Sequence, residues 1–502
     1  MPRRTIFILI LTVVVCYACY RRAERNVYVR YFAQALQEID DNYIEAIDDQ
    51  KLFEGAITGM VGELDRYSGF IRQQQAGDFQ RMVLDQKFGG IGIEVTYDKE
   101  SKQFKVMTPI VGTPAYEAGI RAGDRIVAVD GQDTRELSTK KEVDQAIEML
   151  RGEPGQPVDL EVIHEGQTKP QRYALVRRVI HVDSVLGDTR NPDDSWNFFL
   201  PGHDKIGYVR ITSFGERTVD ELKGALAVLA EHDARGLIID LRNDPGGLLK
   251  AAIGVCELFL NRGDAIVSTR GRNPNVKKEE FTADVNGPYR KLPLVVLVNR
   301  ESASASEIVA AALQDHGRAL IAGERTFGKG TVQNVIPIEA GKSVLKLTIA
   351  TYWRPSGKNI HRLESSKKTD DWGVSPNPQC EVKLSNEDFA KWEERRRDRD
   401  VIRPKSSGPV QEPDKNSKES REDATTHVPT DSTAGSATAE PDASARDATD
   451  PSDVAPANTS DVKAGDASVD KGDDPQLQKA VECLEHEIAA QAEHQDGAAA
   501  MD

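Results

Sequence analysis

The chain has 502 residues, of which 39% are hydrophobic and 29% charged, and its 81 acidic against 65 basic side chains give a formal net charge of −16. That length exceeds one ordinary core and suggests about three units at roughly 100–200 residues each, while the acidic balance argues against a nucleic-acid partner. The five cysteines, Cys16, Cys19, Cys256, Cys380 and Cys483, imply no disulfide framework, and no Cys/His cluster has metal-ligand spacing.

In chain order, Arg3 and Arg4 precede an apolar run from Ile6 to Tyr20 broken only by Thr12. At about 1.5 Å per residue the run is slightly short for a hydrocarbon layer of about 30 Å. A cleaved signal peptide is the main alternative, but no clean small-x-small site precedes Arg21 and Cys16-Tyr-Ala18 before Cys19 is a poor lipoprotein-like one, so residues 1–24 are expected to be an uncleaved signal anchor; arginines on both sides (Arg3, Arg4; Arg21, Arg22, Arg25) leave its orientation open. Residues 25–86 form a helical region, with Phe32, Leu36, Ile39 and Tyr43, then Leu52, Ala56, Met60 and Leu64, at helical spacing. Over residues 87–177 the pattern turns to short strands with glycine turns: strands at 106–110, 126–129 and 158–163, a turn at Asp130-Gly131, and one helix at 143–150.

Residues 178–403 alternate strand (206–211, 236–241, 294–298, 319–322, 344–352) and helix (219–231, 248–259, 304–313), the pattern of an α/β core. Residues 404–474 hold no Leu, Ile, Phe, Tyr, Trp or Met and carry 16 acidic against 7 basic residues. Such a segment cannot bury enough apolar surface to offset its ordering entropy and is expected to be a disordered acidic linker. Residues 475–493 recover an amphipathic helix through Leu477, Ala480, Val481, Leu484 and Ile488.

Two motifs carry chemistry. Asn299-Arg-Glu-Ser-Ala-Ser-Ala-Ser-Glu307 follows a buried strand and opens a helix, where a serine can stand beside unpaired N–H groups able to bind an oxyanion. The plain alternative is that Ser304-x-x-Glu307 is a capping box. Thr326-Phe-Gly-Lys-Gly-Thr-Val-Gln333 sets a lysine between two glycines without P-loop spacing. A buried lysine loses its charge readily and can take a serine proton; an exposed one is only a surface charge.

Together the motifs resemble the carboxyl-terminal processing peptidases, or tail-specific proteases. The resemblance implies Ser304 as nucleophile, Lys329 as general base and Gln333 as the residue orienting the lysine. Asp240-Leu-Arg-Asn-Asp-Pro-Gly-Gly-Leu248 looks like that family's Leu-Arg-x-Asn-x-Gly-Gly element, which implies an oxyanion hole from Ala305 and either Gly246 or Gly247. Gly207–Ile211, Leu64–Ser68, Tyr352–Gly357 and Asp474-Pro-Gln-Leu477 match further landmarks, with Arg354 and Arg66 as departures. Residues 87–177 resemble a PDZ domain, with Gly90, Ile91, Gly92 and Ile93 as the loop that captures a peptide carboxylate.

The fold expected is an α/β protease core, a mixed sheet with packed helices, with an inserted PDZ-like β-rich domain, an N-terminal helical segment and a disordered C-terminal linker. The function expected is a serine endopeptidase that recognises protein C-termini, with no metal and no cofactor. Its partners would be protein substrates with accessible C-termini and, through the N-terminal segment, a membrane; self-association stays open. The family usually works outside the cytoplasm, which implies the cell envelope, on the periplasmic side. A catalytically inactive PDZ scaffold is the rival, and the intact Ser304–Lys329–Gln333 set argues against it.

Overall fold

The computed structural model describes residues 3–23, 27–73, 87–98, 102–135, 137, 139–203, 205–273, 278–367, 369–402 and 474–499, in two compact units, residues 1–72 and 73–502. The expected linker, residues 404–474, lies outside the described residues except for its last residue, Asp474, which is described.

The first unit contains helices Arg3–Ala23, Val27–Asn42 and Asp49–Gly62 and a strand Gly69–Ile71. Asp48 caps the third helix by accepting the Gln50 N–H at 2.9 Å, and Phe53 meets Phe70 edge to face at 6.2 Å. The apolar run does form a helix, but no helix among the described residues is long and apolar enough to cross a membrane. The run from Ile6 to Tyr20 reaches only about 22 Å at 1.5 Å per residue, and arginines lie at both ends. The expectations of a membrane anchor, a signal segment, a membrane partner and a membrane-anchored envelope location are corrected accordingly.

The second unit begins with the β-rich module. Its sheet runs in the order Ile93–Asp98, Gln103–Pro109, Arg125–Val129, Pro157–Ile163 and Gln171–Val176, with Gln132–Asp133 beside the third strand. Alternate residues Phe104, Val106, Ile126, Leu160 and Val162 are buried on one face. The helix Lys140–Leu150 starts from a capping box between Thr139 and Glu142. Ile93–Asp98 is an edge strand of this sheet.

The α/β core is built on a sheet ordered Val185–Leu186, Ile206–Ile211, Gly236–Asp240, Leu294–Val298 and Leu320–Gly323. The last four are mutually parallel and the first is antiparallel, a mixed sheet as expected. Buried on both faces, its central strands read as continuous apolar runs. One face, with Val209, Ile211, Leu237, Ile239, Val296 and Val298, packs against helices Thr218–Glu231, Leu249–Glu257 and Ala305–Asp315. The other, with Tyr208, Ile238, Val295 and Leu297, is covered by Ala480, Val481 and Leu484 of the carboxyl-terminal helix Pro475–Ala499. A second sheet joins Ala265–Gly271, Glu280–Thr282, Thr331–Ile338 and Ser343–Trp353.

Two further contacts hold the carboxyl-terminal helix. Cys380 and Cys483 form a disulfide across 103 residues, a link that cysteine spacing did not disclose and that corrects the expectation of no such framework. Arg242, fully buried, pairs with Asp240 at 2.7 Å and with Asp474 at 2.8 Å, and its guanidinium lies over the Trp392 ring at 4.4 Å. Trp392 belongs to the highly charged helix Asn386–Asp400, where Trp392 and Arg396 are the buried residues.

Removing one partner of a buried ion pair strands the other charge. Asp474→Ala leaves Arg242 paired with Asp240 but removes its second carboxylate and the acceptor of the Trp392 Nε1–H and Leu477 N–H, and should lower the unfolding free energy by about 1–3 kcal/mol, measured as a fall in the denaturant midpoint at unchanged slope.

Candidate active site

The strand Leu294–Val298 is buried along its length and leads, through residues 299–303, to the helix Ala305–Asp315. Ser304 is that helix's N-cap, with φ +55° and ψ −111°. An L residue holds this left-handed backbone only where its surroundings impose it. Asn299 Oδ1 accepts the N–H groups of Asn243 at 3.0 Å and Glu301 at 3.1 Å. The Ser302 hydroxyl donates to the Leu241 carbonyl at 2.7 Å. The Asp244 carbonyl accepts the Ala303 N–H and the Ser306 hydroxyl, each at 3.0 Å. The serine's loop is thus tied, on both sides of Ser304, to the loop that follows Asp240.

Ser304 is 1% exposed and its Oγ has no hydrogen-bond partner among the described residues. Its N–H donates to Glu307 Oε2 at 2.9 Å, the return bond of the capping box read from the sequence. Glu307 does more than cap. Fully buried, it also accepts the Lys329 N–H at 2.8 Å on Oε2, and the Gly328 N–H at 2.7 Å and the Thr326 hydroxyl at 2.5 Å on Oε1. Ser304 N and Lys329 N share one carboxylate oxygen, so they lie within two hydrogen-bond lengths of each other. Burial pushes the Glu307 carboxyl up to about 7, while the Thr326, Gly328, Ser304 and Lys329 donors pull it down. The sequence reading gave Glu307 a local role only; the missed signal was an acid at a position the sheet would bury.

Lys329 is 8% exposed and Gln333 1%. Gln333 Nε2 donates to the hydroxyls of Thr331 at 2.8 Å and Thr348 at 3.2 Å, and its buried Oε1 has no partner among the described residues. Gly246 and Gly247 have φ of +99° and +151°. A Cβ on Gly246 would sit 2.8 Å from both Ser304 Cβ and Ala305 N, and one on Gly247 would sit 2.1 Å from the Phe214 carbonyl oxygen, so neither position admits a side chain. The Gly246 N–H is committed to Asp244 Oδ1 at 2.8 Å. Gly247 runs beside Phe214, flanked by bonds from Phe214 N to Gly246 O at 2.9 Å and from Leu248 N to Phe214 O at 2.7 Å. Ser304, Ala305, Gly246 and the Lys329 backbone thus converge.

The loop of Gly90, Ile91, Gly92 and Ile93 belongs to the β-rich module and leads into its edge strand. The Ile91 carbonyl accepts the Ala115 N–H at 3.0 Å, and the Gly92 carbonyl accepts the Ile110 N–H at 2.9 Å and the Thr113 hydroxyl at 3.0 Å. No group of acidic, His and Cys side chains able to hold a metal occurs among the described residues.

A mixed sheet that delivers a strained serine to a helix start, in one chain with a PDZ module, is the architecture of a serine endopeptidase of the carboxyl-terminal-processing type. The chain belongs to that group within peptidase family S41, whose model matches residues 205–377. Residues 105–163 match a PDZ domain, and residues 20–75 match the N-terminal domain of the activating protease CtpB. The chain is 38% identical over 346 residues to the carboxy-terminal-processing protease of Bartonella bacilliformis, covering 68% of this chain and 74% of that one. It is 37% identical over 309 residues to the carboxyl-terminal-processing protease of a Synechocystis species, covering 61% and 68%. Among solved structures, the photosystem II D1 C-terminal processing protease aligns at 30% identity over 70% of this chain and 92% of its own, with a TM-score of 0.40.

Glu307→Ala would leave four buried donors without their acceptor and should cost about 3 kcal/mol or more of stability by urea unfolding. The pH dependence has a definite sign. A carboxyl raised from 4.5 to about 7 in the folded state contributes stability below pH 4.5 that is lost as pH rises to about 7. The melting temperature of the wild type should accordingly fall relative to Glu307→Gln across that window.

Proposed function

We propose that the chain cleaves protein substrates selected by their C-termini, with Ser304 as nucleophile and Lys329 as general base. The observation that carries this reading is the shared Glu307 oxygen, which ties the backbone of the serine to that of the lysine. In its neutral form the Lys329 amine takes the Ser304 hydroxyl proton as Oγ attacks the scissile carbonyl carbon. The ammonium then returns that proton to the leaving amine. In deacylation Lys329 activates the water that releases the acyl group from Ser304. Gln333, with a buried Oε1 lacking a partner, offers an acceptor to orient the lysine.

The oxyanion would be bound by two backbone N–H groups. Ala305 supplies the one that opens the helix. Gly247 is the better second donor, because the Gly246 N–H already serves Asp244. In this reading residues 87–177 select substrates and residues 178–403 cleave them, with residues 475–493 completing the core. A substrate tail would add to the edge of strand Ile93–Asp98, its carboxylate against Gly90, Ile91, Gly92 and Ile93. The pinned carbonyls of Ile91 and Gly92 support this by fixing the shape of that loop.

Ser304→Ala and Lys329→Ala should each abolish cleavage of an unfolded test protein, a loss of at least about 10³-fold in turnover. Both should still bind a peptide bearing a free C-terminus, and amidation of that peptide should weaken binding. Residual cleavage by Ser304→Ala at the wild-type sites would sink the nucleophile assignment.

A further inference from the structure

Asp244 is used by none of the steps above, yet it stands under all of them. It lies in the loop between strand Gly236–Asp240 and helix Leu249–Glu257 and is completely buried. Its carbonyl holds Ala303 and Ser306, on either side of Ser304, and its Oδ1 holds the N–H of Gly246, the glycine that abuts Ser304. Among the described residues its Oδ2 is buried without a well-formed hydrogen bond; the nearby Ser306 hydroxyl donates to the Asp244 carbonyl.

The charged groups of the surrounding elements are otherwise engaged. Arg242, on its own loop, is spent on Asp240 and Asp474. Arg300, before the serine, pairs with Glu324. Glu307, on the facing helix, takes the four donors described above, among them the N–H of Lys329. Glu301, on the serine's loop, is itself an acid, partly buried and shifted up by its burial. No ion pair reaches Asp244 among the described residues.

A charge in that place would have two neutral donors within reach, the Gly246 N–H and the Ser306 hydroxyl that already serves the Asp244 carbonyl, and no counter-ion among the described residues. A neutral acid in the same place forgoes only one hydrogen bond, which is much the smaller cost. We infer that Asp244 is a positioning residue that works as a neutral carboxylic acid, holding the Gly246–Gly247 turn against Ser304. Burial, the dominant influence on this carboxyl, acts in the same direction and holds it well above its ordinary value of 3.8. The consequence for turnover rests on the proposed oxyanion hole; the protonation state does not.

The test uses the full chain as wild type, Asp244→Asn and Asp244→Ala, each also in the Ser304→Ala background. In that inactive background, the infrared difference between wild type and Asp244→Asn at neutral pH should contain the carbonyl stretch of a protonated carboxyl. The wild-type melting temperature should also fall relative to Asp244→Asn as pH rises above 3.8, because the folded state holds the proton more tightly. In the active background Asp244→Asn should keep turnover within about threefold and hold it at alkaline pH where the wild type declines. Asp244→Ala should lose about 10–100-fold in kcat with KM little changed. No infrared band and no relative slope would overturn the neutral acid, whatever the catalytic mechanism. A band together with wild-type kcat in Asp244→Ala would overturn the positioning role. Equal damage in the Asn and Ala variants would overturn the pairing of the two. Should Asp244→Ala fail to fold, the Asn variant's pH profile and the band decide. Cleavage by Ser304→Ala would count against the nucleophile and leave the infrared result standing.

Discussion

Three distant parts of the chain meet at the guanidinium of Arg242. It joins the end of a central strand through Asp240, the start of the carboxyl-terminal helix through Asp474, and the charged helix Asn386–Asp400 through the face of Trp392. Parallel strands buried on both faces need two covers, and here the second comes from residues more than two hundred positions downstream of Asp240. An ion pair of this kind contributes little net stability over an apolar contact of the same volume. What it fixes is where the loop of Asn243, Asp244, Gly246 and Gly247 can lie, and that loop braces Ser304 on both sides.

Around the serine, local preference yields to tertiary demand. A helix N-cap ordinarily takes extended backbone; Ser304 takes a positive φ. A capping-box glutamate ordinarily serves its own helix; Glu307 also takes three donors from the lysine loop. Deviations of this kind cluster at functional sites and are maintained by the well-packed structure around them. The glycines opposite are required for the same reason, since a methyl group at Gly246 would meet Ser304 itself.

Much of the fold was legible because burial writes itself into sequence. Residues 206–211, 236–240 and 294–298 are apolar nearly throughout since both their faces are covered, and helix 218–231 shows its apolar face at the expected period. The helix Asn386–Asp400 was not legible: its buried residues are a tryptophan and an arginine, held by a cation–π contact and ion pairs. Cysteine spacing was silent about Cys380 and Cys483, which meet only because the terminal helix packs on the sheet. The N-terminal run misled because apolar character was visible while its length fell short. At the site, motif order pointed to Ser304 and Lys329, but nothing local told that Gly246 gives its N–H to Asp244 or that Glu307 couples two loops.

The disulfide gives the terminal helix a further property. Residues 403–473 are bracketed by two fixed ends, the helix Asn386–Asp400 on one side and Asp474 on the other, and Cys380–Cys483 spans the bracket. A single cut of the backbone anywhere in that interval would yield two polypeptides still covalently joined, with both covers of the sheet in place. The enzyme would be nicked but not dismantled, so the segment could vary in length, or be trimmed, without disturbing the geometry around Ser304.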